Sequence, residues 1–163
     1  MSTRSRSEEW ATPQALFDLL DAEFHFTLDP CATAANAKCD RYYTKGKDGL
    51  AYSWAGEVVF MNPPYCGQTE RWMAKAVSQW EKGATVVALV RAQTDSAWWH
   101  IYAMRATEIR FIERKIAFVN EASQASRAPF PSVLLVYLQP PWGRSKYDPI
   151  CKSQGQPQEA QAK

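Results

Sequence analysis

Apolar positions along this chain recur with two different periods, and the alternation between them outlines the fold. Leu16, Phe17, Leu19 and Leu20 recur at helical spacing. Thr12 before them is a good N-cap, and Pro13 falls at the first helical position, where its missing N–H costs nothing. Residues 24–28 alternate and predict a strand that ends at Asp29-Pro30, with a second strand around Arg41-Tyr42-Tyr43. Val58, Val59, Phe60 and Met61 form a continuous apolar run, as expected of a buried central strand. It stops at Asn62-Pro63-Pro64-Tyr65, because two prolines cannot donate to a ladder. Trp72, Met73, Ala76, Val77 and Trp80 return to helical spacing and halt at Gly83, a C′ residue. Residues 85–90 read as another buried strand. Asp95 or Ser96 then caps a helix carrying Trp98, Ile101 and Tyr102, with one of the pair Trp98-Trp99 expected inside and the other outside. Strands near 108–112, 116–119 and 133–138 complete the pattern. It predicts an α/β layer fold with a central, mostly parallel sheet of about seven strands. Asp29, Asn62 and Arg91 all fall at carboxyl ends of strands, where open α/β sheets bind ligands.

A length of 163 residues suits one domain. Residues 9–150 carry the periodic pattern, whereas 1–8 and 151–163 are polar and expected to be mobile. Aromatics make up 13% of the chain, more than a core of this size needs, so some are expected to line a site. No apolar run nears the ~20 residues that span a bilayer, and the opening residues lack a secretory h-region, which predicts a cytoplasmic protein. Cys31, Cys39, Cys66 and Cys151 form no CxxC pair and read as reduced thiols rather than a metal site. Net charge is only +2, but residues 1–82 carry −2 and residues 83–150 carry +3. That bias fits either a phosphate-facing surface or ordinary solvated surface. The chain lacks GxGxxG, Walker A, HExxH and zinc-deaminase patterns.

Asn62-Pro63-Pro64-Tyr65 is the stretch most loaded with chemistry. An exocyclic amine of adenine or cytosine is a poor nucleophile, because its lone pair is delocalised into the ring. Two acceptors aimed at its N–H bonds concentrate charge on nitrogen. The Asn62 amide oxygen and the Pro63 carbonyl form such a pair, and the prolines hold it rigid as preorganised electrostatics. Tyr65 can stack on a base extruded from a duplex. The alternative is a Pro-Pro turn with Tyr65 packed as an ordinary aromatic.

Several ordered segments then resemble the bacteriophage-type DNA N-6-adenine methyltransferases. They are Trp10-Ala11-Thr12-Pro13, Leu28-Asp29-Pro30-Cys31-Ala32, Asn36-Ala37-Lys38-Cys39, Asp48-Gly49-Leu50, Trp54 and Phe60-Met61-Asn62-Pro63-Pro64-Tyr65. Less distinctive are residues 90–95, Trp98 and residues 128–132. The resemblance implies a Rossmann-like fold dependent on S-adenosyl-L-methionine, and transfer of its methyl group to N6 of adenine in double-stranded DNA. It implies that Asn62, Pro63, Pro64 and Tyr65 carry the catalysis. Trp10, Thr12 and Pro13 would cover the cofactor, Asp29 and Pro30 would hold its methionine or adenosine portion, and Asp48 would lie near its adenine. Bottom-up, Asp29 also reads as a turn-initiating Asp-Pro, and Asp48 as an Asp-Gly turn. Arg110, Arg114, Lys115 and Arg127 are candidate DNA-phosphate contacts; Arg91 either meets a phosphate or caps the sheet. One departure stands out: the loop after Asp29 has no glycine, only the small residues Ala32, Ala34 and Ala35. Methylation of cytosine N4, RNA adenine or protein glutamine, and a non-catalytic binding module, remain as rival readings. Monomer and homodimer are both open.

Overall fold

The computed structural model describes residues 10–65, 67–119 and 125–140. The expected mobile ends, 1–8 and 151–163, lie outside these, as do Cys66, Cys151 and the end of the expected domain past residue 140. In chain order the elements are α1 Gln14–Phe24, β1 Val58–Met61, α2 Thr69–Glu81, β2 Thr85–Arg91 and α3 Ala97–Ile101. A 3-10 turn at Ala103–Arg105, β3 Glu108–Phe111, β4 Ala117–Val119, β5 Ala125–Arg127 and β6 Ser132–Tyr137 follow.

Four strands form one sheet in the order β1-β2-β6-β3. β1 and β2 are parallel, Val58 facing Thr85, whereas β6 runs antiparallel to both β2 and β3. The sheet is therefore mixed, with β6 alone running against the other three, and the expected sheet of about seven mostly parallel strands meets four among the described residues. Parallel neighbours need a crossover, usually a helix, and no helix among the described residues intervenes between β3 and β6. β4 and β5 pair only with each other, as a separate ribbon.

The two strands expected before β1 shrink to single bridges. Leu28 pairs in parallel with Val59, and Asp29 with Tyr42. The cause is local: α1 extends to Phe24, and His25 turns left-handed at φ 56° to close it. Asp21 enforces that turn, its backbone oxygen taking the His25 N–H at 2.9 Å and its carboxylate the Phe26 N–H at 2.8 Å. Phe24 and Phe26 still pack inward, Phe26 lying 5.3 Å from Phe60 and 5.6 Å from Phe17.

Alternation along β2 divides the core. Val86, Ala88 and Val90 face one layer with Trp54, Trp72, Met73, Ala76, Leu135 and Tyr137. Val87 and Leu89 face the other, with Phe17, Leu20, Phe60, Phe118 and Leu134. α2 covers the first face and ends as its pattern predicts, Gly83 taking φ 101° just beyond the helix. Trp98 and Trp99 are both buried, not one in and one out, because α3 spans only five residues and is embedded between loops.

One polar strut crosses the first layer. Buried Gln79 accepts the Trp54 backbone N–H at 2.7 Å, while the Trp54 indole donates to Gly49 O at 3.0 Å. Gln79→Met keeps the volume but orphans a buried N–H. It should cost about 1–3 kcal/mol in urea unfolding, and a cost near zero would show that the strut contributes nothing.

Candidate active site

After Leu28-Asp29 the chain moves outward to pair with Tyr42; after β1 it moves the opposite way, to β2. Strand order thus reverses between Asp29 and Asn62, and the diverging loops leave a crevice at the carboxyl ends. A cavity of about 380 Å³ opens there, within the roughly 300–1,000 Å³ of small-molecule sites. Trp10, Thr12, Asp29, Pro30, Asp48, Asn62, Pro63 and Pro64 all line it. Pro13 and Tyr65 are not among the lining residues.

Asp29 is 5% exposed and meshed with backbone. Its carboxylate accepts the Cys31 N–H at 3.2 Å and the Lys38 N–H at 3.1 Å. Burial nevertheless dominates and pushes its pKa up to about 6, against the opposing pull of those two N–H groups and the Lys38 charge. A buried carboxyl held in this way favours a cationic neighbour. Asp48 combines both readings of it: its carboxylate caps its own turn through the Leu50 N–H at 3.0 Å, and it lines the cavity.

The glycine missing after Asp29 is replaced from a distance. A Cβ on Gly49 would lie 2.3 Å from the Pro30 carbonyl oxygen, so only glycine lets the two loops touch. The Asp29 loop itself turns through Asn36, whose side chain accepts the Thr33 N–H at 2.7 Å.

Asn62 is fixed at both ends of its amide. Its Nδ2 donates to the Trp10 carbonyl at 2.7 Å and to Thr12 Oγ1 at 3.1 Å, and its Oδ1 accepts the Tyr65 hydroxyl at 2.9 Å. Thr12 is therefore not the N-cap of α1: Pro13 caps the helix without any side-chain bond, and the Thr12 hydroxyl serves Asn62 instead. Tyr65 does not present a stacking face here. Its ring is 8% exposed and sits 5.0 Å from Phe130 and 6.1 Å from Phe118. Desolvation pushes its hydroxyl pKa up, Arg91 opposing, so it stays a donor to Asn62.

The basic candidates divide. Arg110 is held by Glu23 at 2.7 Å and by Glu108, chiefly through the Glu23 hydrogen bonds that push its pKa up. Arg91 lies over Phe130 and Tyr65, and none of the three lines the cavity. Arg114 and Lys115 are exposed, Lys115 reaching Pro129 O at 3.5 Å. The Arg127 side chain lies outside the described residues. Pattern reading missed Gln68, Arg71 and Trp72 as cavity walls. Trp72 registers in the sequence only as part of an apolar helical stripe; its indole N–H is buried with no partner among the described residues.

A profile of the family described as DNA N-6-adenine-methyltransferase (Dam) matches residues 2–155. The chain belongs to the DNA N-6-adenine-methyltransferase family. The DNA N-6-adenine-methyltransferase of Haemophilus phage HP1 (strain HP1c1) is 30% identical over 150 residues, covering 88% of this chain and 86% of the phage protein. That of Escherichia phage T1 is 27% identical over 128 residues, or 76% of this chain and about half (53%) of the relative. A DNA N-6-adenine-methyltransferase needs a pocket for a methyl donor beside a place for an adenine amine. The residues present fit a cationic donor: a cavity of suitable size with a buried carboxylate in its wall. No helix among the described residues is long and apolar enough to cross a membrane.

The sign of the Asp29 effect follows from its raised pKa. Stability from its neutral form is complete below the ordinary 3.8 and is lost as pH rises to about 6. In urea titrations of the ligand-free protein, wild type should lose about 3 kcal/mol relative to Asp29→Asn between pH 4 and pH 7. A difference that stays constant across that range would mean that Asp29 is not desolvated.

Proposed function

We propose that the cavity takes S-adenosyl-L-methionine, and that Asn62 with the Pro63 carbonyl receives the N6 amine of an adenine extruded from double-stranded DNA. As a member of its family the chain methylates adenine N6 in DNA. One observation supports the finer reading above the others: an amide locked by three hydrogen bonds on the wall of a cavity that also holds a buried carboxylate. The sheet order, with two parallel bridges beyond β1, agrees with a Rossmann-like methyltransferase domain.

When bound, S-adenosyl-L-methionine supplies an electrophilic methyl group. The protein's part is positional. Asp29 and Asp48 favour the positive charge of the donor, and Trp10 and Thr12 close one wall over it. Asn62 cannot present its nitrogen to the substrate, because both Nδ2 hydrogens are already committed to acceptors. Its oxygen is therefore the group that faces an incoming amine. The Tyr65 hydroxyl uses one lone pair of Oδ1 and leaves the second for an adenine N–H. On this reading Tyr65 is a positioning residue that acts through Asn62. Pro63 and Pro64 fix the loop in an extended form, so no reorganisation is needed as charge develops on nitrogen. Arg114, Lys115 and Arg127 serve as contacts to the DNA backbone in the cytoplasm. Arg110 has two carboxylates to give up before it could join them.

The identity of the product tests the reading. Nucleosides from DNA treated with the protein and S-adenosyl-L-methionine should show N6-methyladenine by mass spectrometry; N4-methylcytosine in its place would overturn the adenine assignment. Asn62→Ala should lower kcat by on the order of 10²–10³, with donor affinity changed far less. Tyr65→Phe keeps the packed ring and removes one hydrogen bond, so kcat should fall about three- to tenfold at constant KM. An Asn62→Ala enzyme that turns over at the wild-type rate removes the amine clamp from consideration.

A further inference from the structure

Next to Tyr65, outside the cavity lining, lies a second polar feature that the catalytic reading leaves unused. Arg91 is the last residue of β2 and pairs across the ladder with Ser132, the first of β6. Direct partners in an antiparallel pair project to the same face. Here that face is the layer of Phe118, Tyr65 and Leu134. The Arg91 guanidinium stacks over Phe130 at 4.1 Å and over Tyr65 at 5.0 Å. Its Nε and the Ser132 hydroxyl are both buried with no hydrogen-bond partner among the described residues. Ser132 is 2% exposed.

This arginine differs from the others described. Arg41, Arg105 and Arg110 each pair with a carboxylate, Arg114 is exposed, and Arg71 is exposed at the cavity wall. Among the arginines whose side chains are described, Arg91 alone is partly desolvated without an acidic partner. A guanidinium in that state has lost water without regaining charge compensation, which is costly unless an anion arrives. Two aromatic rings hold its planar fork in place. A bidentate partner therefore meets a preorganised donor, and phosphate matches that geometry.

Resting on the methyltransferase reading above, we infer that Arg91, with Ser132 beside it, is an anion subsite for one backbone phosphate of the nucleotide whose base reaches Asn62. Position supports the assignment. Tyr65 contacts both groups: its hydroxyl donates to Asn62 at 2.9 Å and its ring lies under Arg91. The phosphate then anchors the extruded nucleotide one aromatic ring away from the amine clamp. Arg91 is a binding residue in this scheme, separate from the exposed cations of 114–115, which serve any stretch of backbone.

The probes are 5′-deoxyadenosine monophosphate, deoxyadenosine and inorganic phosphate, titrated into the intact protein and followed by tryptophan fluorescence or amide NMR shifts. Wild type should bind the monophosphate at least tenfold more tightly than the nucleoside. Arg91→Met, which keeps an apolar stem against Phe130, should erase that gap while leaving the nucleoside affinity unchanged. Arg91→Lys, which keeps charge but not the fork, should restore less than half of it on a logarithmic scale. On duplex DNA, Arg91→Met should flatten the slope of log K against log salt by about 0.9, one phosphate's worth. A gap that survives Arg91→Met, or a wild type that binds monophosphate and nucleoside equally, overturns the subsite even if N6-methyladenine is formed. Conversely, a phosphate preference that vanishes with Arg91→Met in a protein forming no methylated base upholds the subsite and sinks the methyltransferase reading. Thermal melting of each variant separates lost binding from lost folding: if Arg91→Met unfolds, the Arg91→Lys titration decides, and a full wild-type gap there counts against the proposal.

Discussion

Two consecutive prolines end β1, and much of the site follows from that termination. Without N–H groups at 63 and 64 the ladder cannot continue, so the chain leaves the sheet rigidly where neighbouring ranks diverge. Asn62 is thereby stranded at the mouth of a crevice with an amide that must find partners elsewhere. It finds them in the segment before α1 and in Tyr65. The cavity wall, the orientation of the amide and the burial of Tyr65 are consequences of one interrupted strand.

Burial and chemistry pull against each other around this crevice. Asp29 is ionised at neutral pH at a cost to stability, Trp72 keeps an indole N–H without an acceptor, and Arg91 and Ser132 hold polar atoms unsatisfied. Most polar atoms in a fold are paired, so orphans grouped at one end of a sheet mark places kept ready for something else. The opposite end shows the contrast: Gln139 donates to Trp80 O and Ala84 O, and Tyr137 to Tyr102 O.

Legibility in the sequence followed the strength of local signals. β1, β2, α2 and its glycine stop were plain, because continuous apolar runs and a 3.6 period leave few alternatives. The strand read over 24–28 failed because alternating Phe24, Phe26 and Leu28 obey the right period, while Asp21 caps a helix whose end overlaps them. The number of strands in the sheet was over-read, since apolar alternation does not say which strands pair: β4 joins β5 in a separate ribbon, and the segments at Leu28 and Tyr42 make only single bridges. Of the three residues nominated by their place at strand ends, Asp29 and Asn62 line the cavity and Arg91 does not. Gly49 as the stand-in for a missing loop glycine was invisible, because its Cβ-free surface matters only against Pro30, nineteen residues earlier in the chain. Tyr65 was identified as important and given the wrong posture, since nothing local says that Phe118 and Phe130 will enclose it.

The bonds from Asn62 to Thr12 and Trp10 bridge 50 and 52 positions of sequence. Closing so wide a span sacrifices chain entropy early and returns it only when both ends are already shaped. During synthesis the segment that roofs the pocket therefore has no mate until the NPPY turn clears the ribosome, yet every lining residue, from Trp10 to Trp72, belongs to the first half of the chain.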